Sequence, residues 1–132
     1  MIIKRDEYLN KLISKKWNGM IKVITGIRRC GKSFLLFELF KKHLITNGVE
    51  DSQIIEISLD SVEFENLQDK KKLNYYIKSK IRNDENYYIL LDEIQLVDGF
   101  ELLLNGLLKH KNLDVYVTGS NSKFLSSDII TD

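Results

Sequence analysis

Proline and alanine are absent from the 132 residues, and cysteine occurs once, at Cys30. A single cysteine excludes an intrachain disulfide framework, and an unpaired thiol fits a reducing, cytoplasmic compartment. Net charge is scarce as well: 20 Lys plus Arg stand against 19 Asp plus Glu, leaving a formal +1 and a pI near 7.8. Charge alone therefore points to no polyanionic partner. No run reaches the roughly 18 apolar residues of a membrane span, and the opening MIIKRDEYLNK is too charged for a signal peptide. No linker, repeat or low-complexity segment divides the chain. The missing Pro and Ala, with 16 Lys against 4 Arg and 10 Asn, read as the codon bias of an AT-rich genome. Against that background, Arg28 and Arg29 stand out as half of all the arginine in two adjacent positions.

What is present is a core. Leu, Ile, Val and Phe supply 47 residues, well above the level at which a chain fails to fold for want of apolar surface. A single domain of this size buries roughly two-thirds of the surface its unfolded chain exposes. Helical and strand-like patterns alternate along its length, which predicts an α/β fold. Tyr8, Leu9, Leu12 and Ile13 recur at helical spacing before an Asn18-Gly19 turn. A first strand, Met20 to Thr25, ends at Gly26, and a helix apolar on most sides runs from Lys32 to about Ile45. A second strand spans Ile54 to Leu59, and a helix starting at Asn66 carries Leu73, Tyr76, Ile77 and Ile81 inward. A third strand, Tyr87 to Leu91, runs into Asp92-Glu93. Asp98 and Glu101 resemble a capping box ahead of the stripe Phe100, Leu103, Leu104, Leu107 and Leu108. A fourth strand spans Leu113 to Thr118, and the remaining segment to Asp132 has room for a small helix.

Residues 26–33 read GIRRCGKS, the phosphate-loop pattern of Gly, four residues, Gly, Lys and Ser or Thr. Roughly one chain of this length in a hundred or fewer would match by chance. The match lies between a predicted strand and a predicted helix, where backbone N–H groups and a helix N-terminus can surround a phosphate chain. Gly26, Ile27, Arg28, Arg29, Cys30, Gly31, Lys32 and Ser33 are thus the expected nucleotide cradle. Gly26 and Gly31 permit the tight turn, Lys32 reaches the β- and γ-phosphate oxygens, and the Ser33 hydroxyl ligates Mg²⁺. Arg28 and Arg29 either form a solvated loop tip or brace phosphate or a neighbouring subunit. Cys30 is a small filler or an oxidisable thiol beside a helix N-terminus.

The second element is Tyr88-Ile89-Leu90-Leu91-Asp92-Glu93, four apolar residues followed by two carboxylates at a strand end. The C-terminal ends of parallel strands face one crevice, so this pair is expected beside the loop. Asp92 is assigned to the metal, accepting from a Mg²⁺-bound water and from Ser33, and Glu93 to orienting and polarising the attacking water. Thr118-Gly119-Ser120-Asn121 ends the fourth strand in the same crevice. Ser120, then Thr118, is the candidate to hold that water against the γ-phosphate, with a plain Gly-Ser turn as the alternative. His43 and His110 have no partners at ligand spacing, so no transition-metal site is expected.

With IIKRDEYLNKLI at the start, ITGIRRCGKS, YYILLDEIQ and VTGSNSKFLSS, the whole chain resembles the prokaryotic AAA-type ATPases of the AAA+ superfamily that usually carry a C-terminal domain of unknown function. The resemblance implies a three-layer P-loop NTPase core, a mainly parallel sheet of order 5-1-4-3-2, and ATP binding and Mg²⁺-dependent hydrolysis coupled to an unidentified macromolecular process. It also places Gln95 in the family signature, a position to which residue type alone gives no chemistry. In such proteins a Gly-Arg motif, a fifth strand and a helical lid follow the TGS segment. None is recognisable here, so residues 1–132 are expected to be an ATP-binding core cut before its last strand. The expected sheet order is then 1-4-3-2 with the fifth strand missing. The first strand would be an open edge inviting self-association, alongside any AAA-type oligomer, and turnover would be weak. The competing expectations are a nucleotide-dependent switch with negligible turnover and, less well matched, a small-molecule phosphotransferase.

Overall fold

Short runs rich in Ile, Leu, Val and Tyr become the strands. These are β1 (Ile21–Ile24), β2 (Ile54–Ser58), β3 (Tyr87–Asp92), β4 (Leu113–Thr118) and β5 (Ser127–Ile130). The structure is a computed structural model that describes residues 2–25, 31–119 and 127–130, with residues 2–5 and 127–130 described by backbone alone. All pairings are parallel, in the order β2-β3-β4-β1-β5. Every residue of β1, β3 and β4 is buried, because helices cover both faces of a parallel sheet and leave no polar side for alternation.

The helices are α1 (Ile2–Ser14), α2 (32–46), α3 (Lys70–Lys80) and α4 (Phe100–Leu108). Within α2, wide π turns over Leu35–Phe40 separate α-helical Lys32–Phe34 and Lys41–Thr46. Side chains alternate across β3, so Ile89 and Leu91 join one core and Tyr88 and Leu90 the other. The first core is closed by Leu73 and Ile77 of α3 with Leu103, Leu104 and Leu107 of α4. The second is closed by Tyr8 and Leu12 of α1 with Leu35, Leu36, Phe40 and Leu44 of α2. The result is a three-layer α/β/α sandwich with the expected 1-4-3-2 strand order at its centre.

Three expectations change. A fifth strand is present: Ile21–Ile24 of β1 pair in register with Ser127–Ile130, where a small helix had been expected. Four residues suffice to satisfy the open side of β1, a non-local pairing that leaves little trace in local pattern. With β1 covered, the self-association expected through its edge loses its basis, and the edge strands are β2 and β5. Helix α3 starts at Lys70 rather than Asn66, because the Asp69 side chain caps it by accepting from the Lys72 N–H at 2.9 Å. The Asp98–Glu101 capping box does not form. The N-cap is Gly99 at φ 75°, without a side-chain cap. A Cβ at Gly99 would lie 3.1 Å from Lys70 Nζ.

One charged residue interrupts the apolar run of β1. Lys22 is fully buried, and its ammonium donates to Asp114 Oδ1 at 2.5 Å and Asn18 Oδ1 at 3.2 Å, 4.8 Å from the Tyr116 ring centroid. The other Asp114 oxygen accepts from the Trp17 N–H at 2.9 Å and the Tyr116 hydroxyl at 2.5 Å. Burial, reinforced by the Asp114 carboxylate, pushes the Tyr116 phenol far above its ordinary value, so it stays a neutral donor. Trp17, at φ 58°, donates its indole N–H to the Tyr88 hydroxyl at 3.0 Å. This network ties the α1–β1 turn to β3 and β4 on the N-terminal side of the sheet. The C-terminal side is left for polar side chains that converge.

Candidate functional site

Parallel pairing brings the C-terminal ends of β1, β3 and β4 side by side, and α2 begins above them. Gly31, at φ 73°, directly precedes Lys32; that conformation is open to glycine at no steric cost. Gly26, Ile27, Arg28, Arg29 and Cys30 of the expected cradle lie outside the described residues, as does Ser120.

The described part of the site centres on Asp92, the last residue of β3, which is 2% exposed. The Ser33 hydroxyl donates to Asp92 Oδ2 at 2.6 Å, joining positions 59 residues apart in sequence. The Thr118 hydroxyl donates to Asp92 Oδ1 at 2.5 Å and accepts the Glu93 N–H at 2.9 Å. Both carboxylate oxygens are thus held by hydroxyls, as a buried charge requires. Lys32 Nζ donates to the Gly119 carbonyl at 3.3 Å, and the Gly119 N–H donates to the Ile24 carbonyl at 3.2 Å. The lysine therefore sits across the ends of β1 and β4, beside the acid pair.

Glu93 has φ 61° and ψ 52°, a left-handed conformation that costs a non-glycine residue about 1–2 kcal/mol. Strain of this kind persists only where the surroundings hold it, and it gathers at functional positions. Here the Thr118 hydroxyl anchors the Glu93 main chain, and the turn swings its side chain back over the strand ends. Gln95, in the one-turn 3₁₀ helix Ile94–Leu96 that follows, donates its side-chain N–H to Glu93 Oε1 at 2.6 Å.

Of the expected site residues, Lys32, Ser33, Asp92, Glu93 and Thr118 come together. Thr118 differs from expectation in kind. It is fully buried, its proton goes to Asp92 and it receives the Glu93 N–H, so it braces the acid pair rather than facing a water. Two residues had not been singled out for chemistry. Gln95 is one. The other is Asp60, just past β2, whose carboxylate lies with those of Asp92 and Glu93 within a 4.8 Å span and accepts from the Ser58 hydroxyl at 2.9 Å. The rule that parallel strand ends share a crevice would have pointed to Asp60. Hydroxyl and carboxylate oxygens suit a hard cation such as Mg²⁺. A cavity of about 610 Å³ lies elsewhere, between Lys41, Glu56, Lys80, Arg82 and Tyr87 along the open edge of β2. It contains none of the converging groups. No helix among the described residues is long and apolar enough to cross a membrane.

Comparison with known proteins places this geometry. A protein of Haemophilus influenzae, described as uncharacterized, is 36% identical over 131 residues, covering 98% of this chain and 32% of that protein. The uncharacterized protein MJ1544 of Methanocaldococcus jannaschii is 36% identical over 136 residues, covering 98% of this chain and 26% of that protein. The chain thus spans a third or less of the length of these relatives. Among solved structures, a chain of the Drosophila ORC complex bound to DNA superposes with a TM-score of 0.58 at 9% identity, over 91% of this chain and 78% of that one. PCH-2 of C. elegans superposes with a TM-score of 0.53 at 18% identity, over 80% of this chain and 30% of that one. At these identities the structural likeness establishes the fold. The AAA domain family matches residues 18–132, taking in the loop, the acid pair and every strand, and the chain belongs to that family, with an AAA+ P-loop ATPase core.

Proposed function

We propose that this chain binds ATP with Mg²⁺ and hydrolyses it to ADP and phosphate, as the ATP-binding core of a protein that couples the reaction to a macromolecular task. The observation that carries the reading is the 2.6 Å hydrogen bond from Ser33 to Asp92. It brings the helix start after the phosphate loop onto the acidic strand end, the pairing that Mg²⁺-dependent P-loop enzymes use. Lys32 leaves the Gly119 carbonyl for the β- and γ-phosphate oxygens. Ser33 and Asp92 would hold the metal, whose positive charge would offset that on the phosphate oxygens. Glu93, with one carboxylate oxygen engaged by Gln95, keeps the other for the attacking water and takes its proton as the phosphoryl group transfers. Ser120, and the loop residues from Gly26 to Cys30, complete the site in this proposal, and assembly into an AAA-type oligomer belongs to it as well.

A second reading is a nucleotide-dependent switch with negligible turnover, the outcome if no arginine is supplied to the charge that develops in the transition state, a contribution of about a thousandfold or more in related enzymes. Phosphate release from ATP separates the two readings. Hydrolysis predicts Mg²⁺-dependent release, on the order of 10⁻⁴ s⁻¹ without an arginine donor, that stops with EDTA. Binding of ATP without any release above buffer would leave the switch.

A further inference from the structure

Gln95 is the polar residue of this site that the proposed chemistry does not yet use. Its side-chain N–H donates to Glu93 Oε1 at 2.6 Å. Its own Oε1 is buried and has no hydrogen-bond partner among the described residues. A glutamine serving only to hold a turn would satisfy both ends of its amide on neighbouring backbone, since an unpaired buried carbonyl is costly. Here the amide is turned wholly to the service of one carboxylate. The reverse orientation would set the carbonyl oxygen against the carboxylate, so Glu93 alone fixes which way the amide faces. Leucine or methionine would fill the same space without an orphaned carbonyl, which makes the retention of an amide hard to explain by packing.

Local geometry gives the contact a purpose. Glu93 follows the end of β3 in a left-handed conformation, a poor anchor for a group that must sit in one place. Its main chain is held by the Thr118 hydroxyl at 2.9 Å, but rotation about its side-chain bonds stays open. The Gln95 amide, two residues on and across a tight turn, closes that freedom. With Oε1 occupied, Oε2 is the oxygen left to receive a proton from water. We propose that Gln95 is a positioning residue: its amide clamps the Glu93 carboxylate so that one defined oxygen faces the attacking water. The inference rests on the proposed hydrolysis, but the clamp itself can be observed without turnover.

Two variants and one spectrum test it. Gln95→Met keeps the bulk and removes the donor; kcat should fall about 10- to 100-fold, as when an outer partner that orients a reacting group is lost. KM, ATP affinity and the melting temperature should stay near the parent's. Gln95→Glu places two carboxyl groups in contact, which can both be accommodated only if they share a proton. Its turnover should therefore be lowest at alkaline pH and recover towards the parent's as the pH falls and an O–H donor returns, an inversion that a purely structural role would not produce. Parental kcat in Gln95→Met, or a Gln95→Glu profile that tracks the parent's, overturns the inference. Independently of activity, the side-chain NH₂ resonance of Gln95 in an amide NMR spectrum of the intact chain should shift clearly in Glu93→Gln, because the acceptor loses its charge. An unshifted resonance overturns the clamp. A parent without turnover whose resonance does shift overturns hydrolysis and upholds the contact.

Discussion

Glu93→Gln should lower ATP turnover by about 100- to 10,000-fold, the range by which a positioned base accelerates proton transfer, while leaving ATP affinity and thermal stability close to the parent's. The size of the expected loss follows from how little else the substitution changes. Glutamine has the same shape, can remain in the left-handed conformation, and keeps its N–H on the Thr118 hydroxyl. Its carbonyl can still accept from Gln95. What disappears is the ability to take a proton. Asp92 cannot substitute, because its two oxygens are engaged by Ser33 and Thr118. Phosphate release and calorimetric ATP binding, measured on the same preparation, separate chemistry from affinity. Undiminished release in Glu93→Gln would assign the water to another group.

The second large effect lies at the other end of the sheet. Lys22→Met should destabilise the fold by about 3–5 kcal/mol, the usual consequence of removing one member of a buried ion pair and leaving its partner charged. That is a large share of the roughly 5–15 kcal/mol by which a domain is stable. The Lys22 and Asp114 side chains are 0% and 3% exposed, so water does not replace the lost ammonium. The double variant Lys22→Met/Asp114→Asn should recover part of the loss, because asparagine offers Trp17 and Tyr116 an acceptor without a buried charge. Urea unfolding of parent, single and double variants reads both effects. A single variant as stable as the parent would show that Lys22 contributes packing alone. Its ATP affinity should nonetheless match the parent's wherever it is folded, since the network stands on the N-terminal side of the sheet.

These two residues mark how far the sequence could be read. The buried strand β3 announces itself as a continuous apolar run, and the loop and acid pair are recognisable because their chemistry constrains neighbouring residue types. From those, the α/β class and the meeting of Ser33 with Asp92 could be expected, while the 1-4-3-2 order was implied by the resemblance to AAA-type ATPases. What stayed hidden depends on distant partners. Lys22 looks like an interruption of β1 until Asp114, 92 residues away, supplies its counter-charge. The pairing of β5 with β1 satisfies a distant edge with four residues, too few for a pattern. The clamp on Glu93 arises from a left-handed backbone followed by a one-turn 3₁₀ helix, a geometry that glutamic acid does not advertise. Asp98 resembled a cap, but Gly99 could reach the conformation the turn needed.

Calorimetric titration of Mg·ATP into the folded parent chain and into Lys32→Ala tests the nucleotide site most directly. Binding to the parent should be saturable and weaken without Mg²⁺, and Lys32→Ala should lose at least about tenfold in affinity, equivalent to about 1.4 kcal/mol. A folded parent that takes up no ATP, or a Lys32→Ala variant that binds it equally well, would contradict the account.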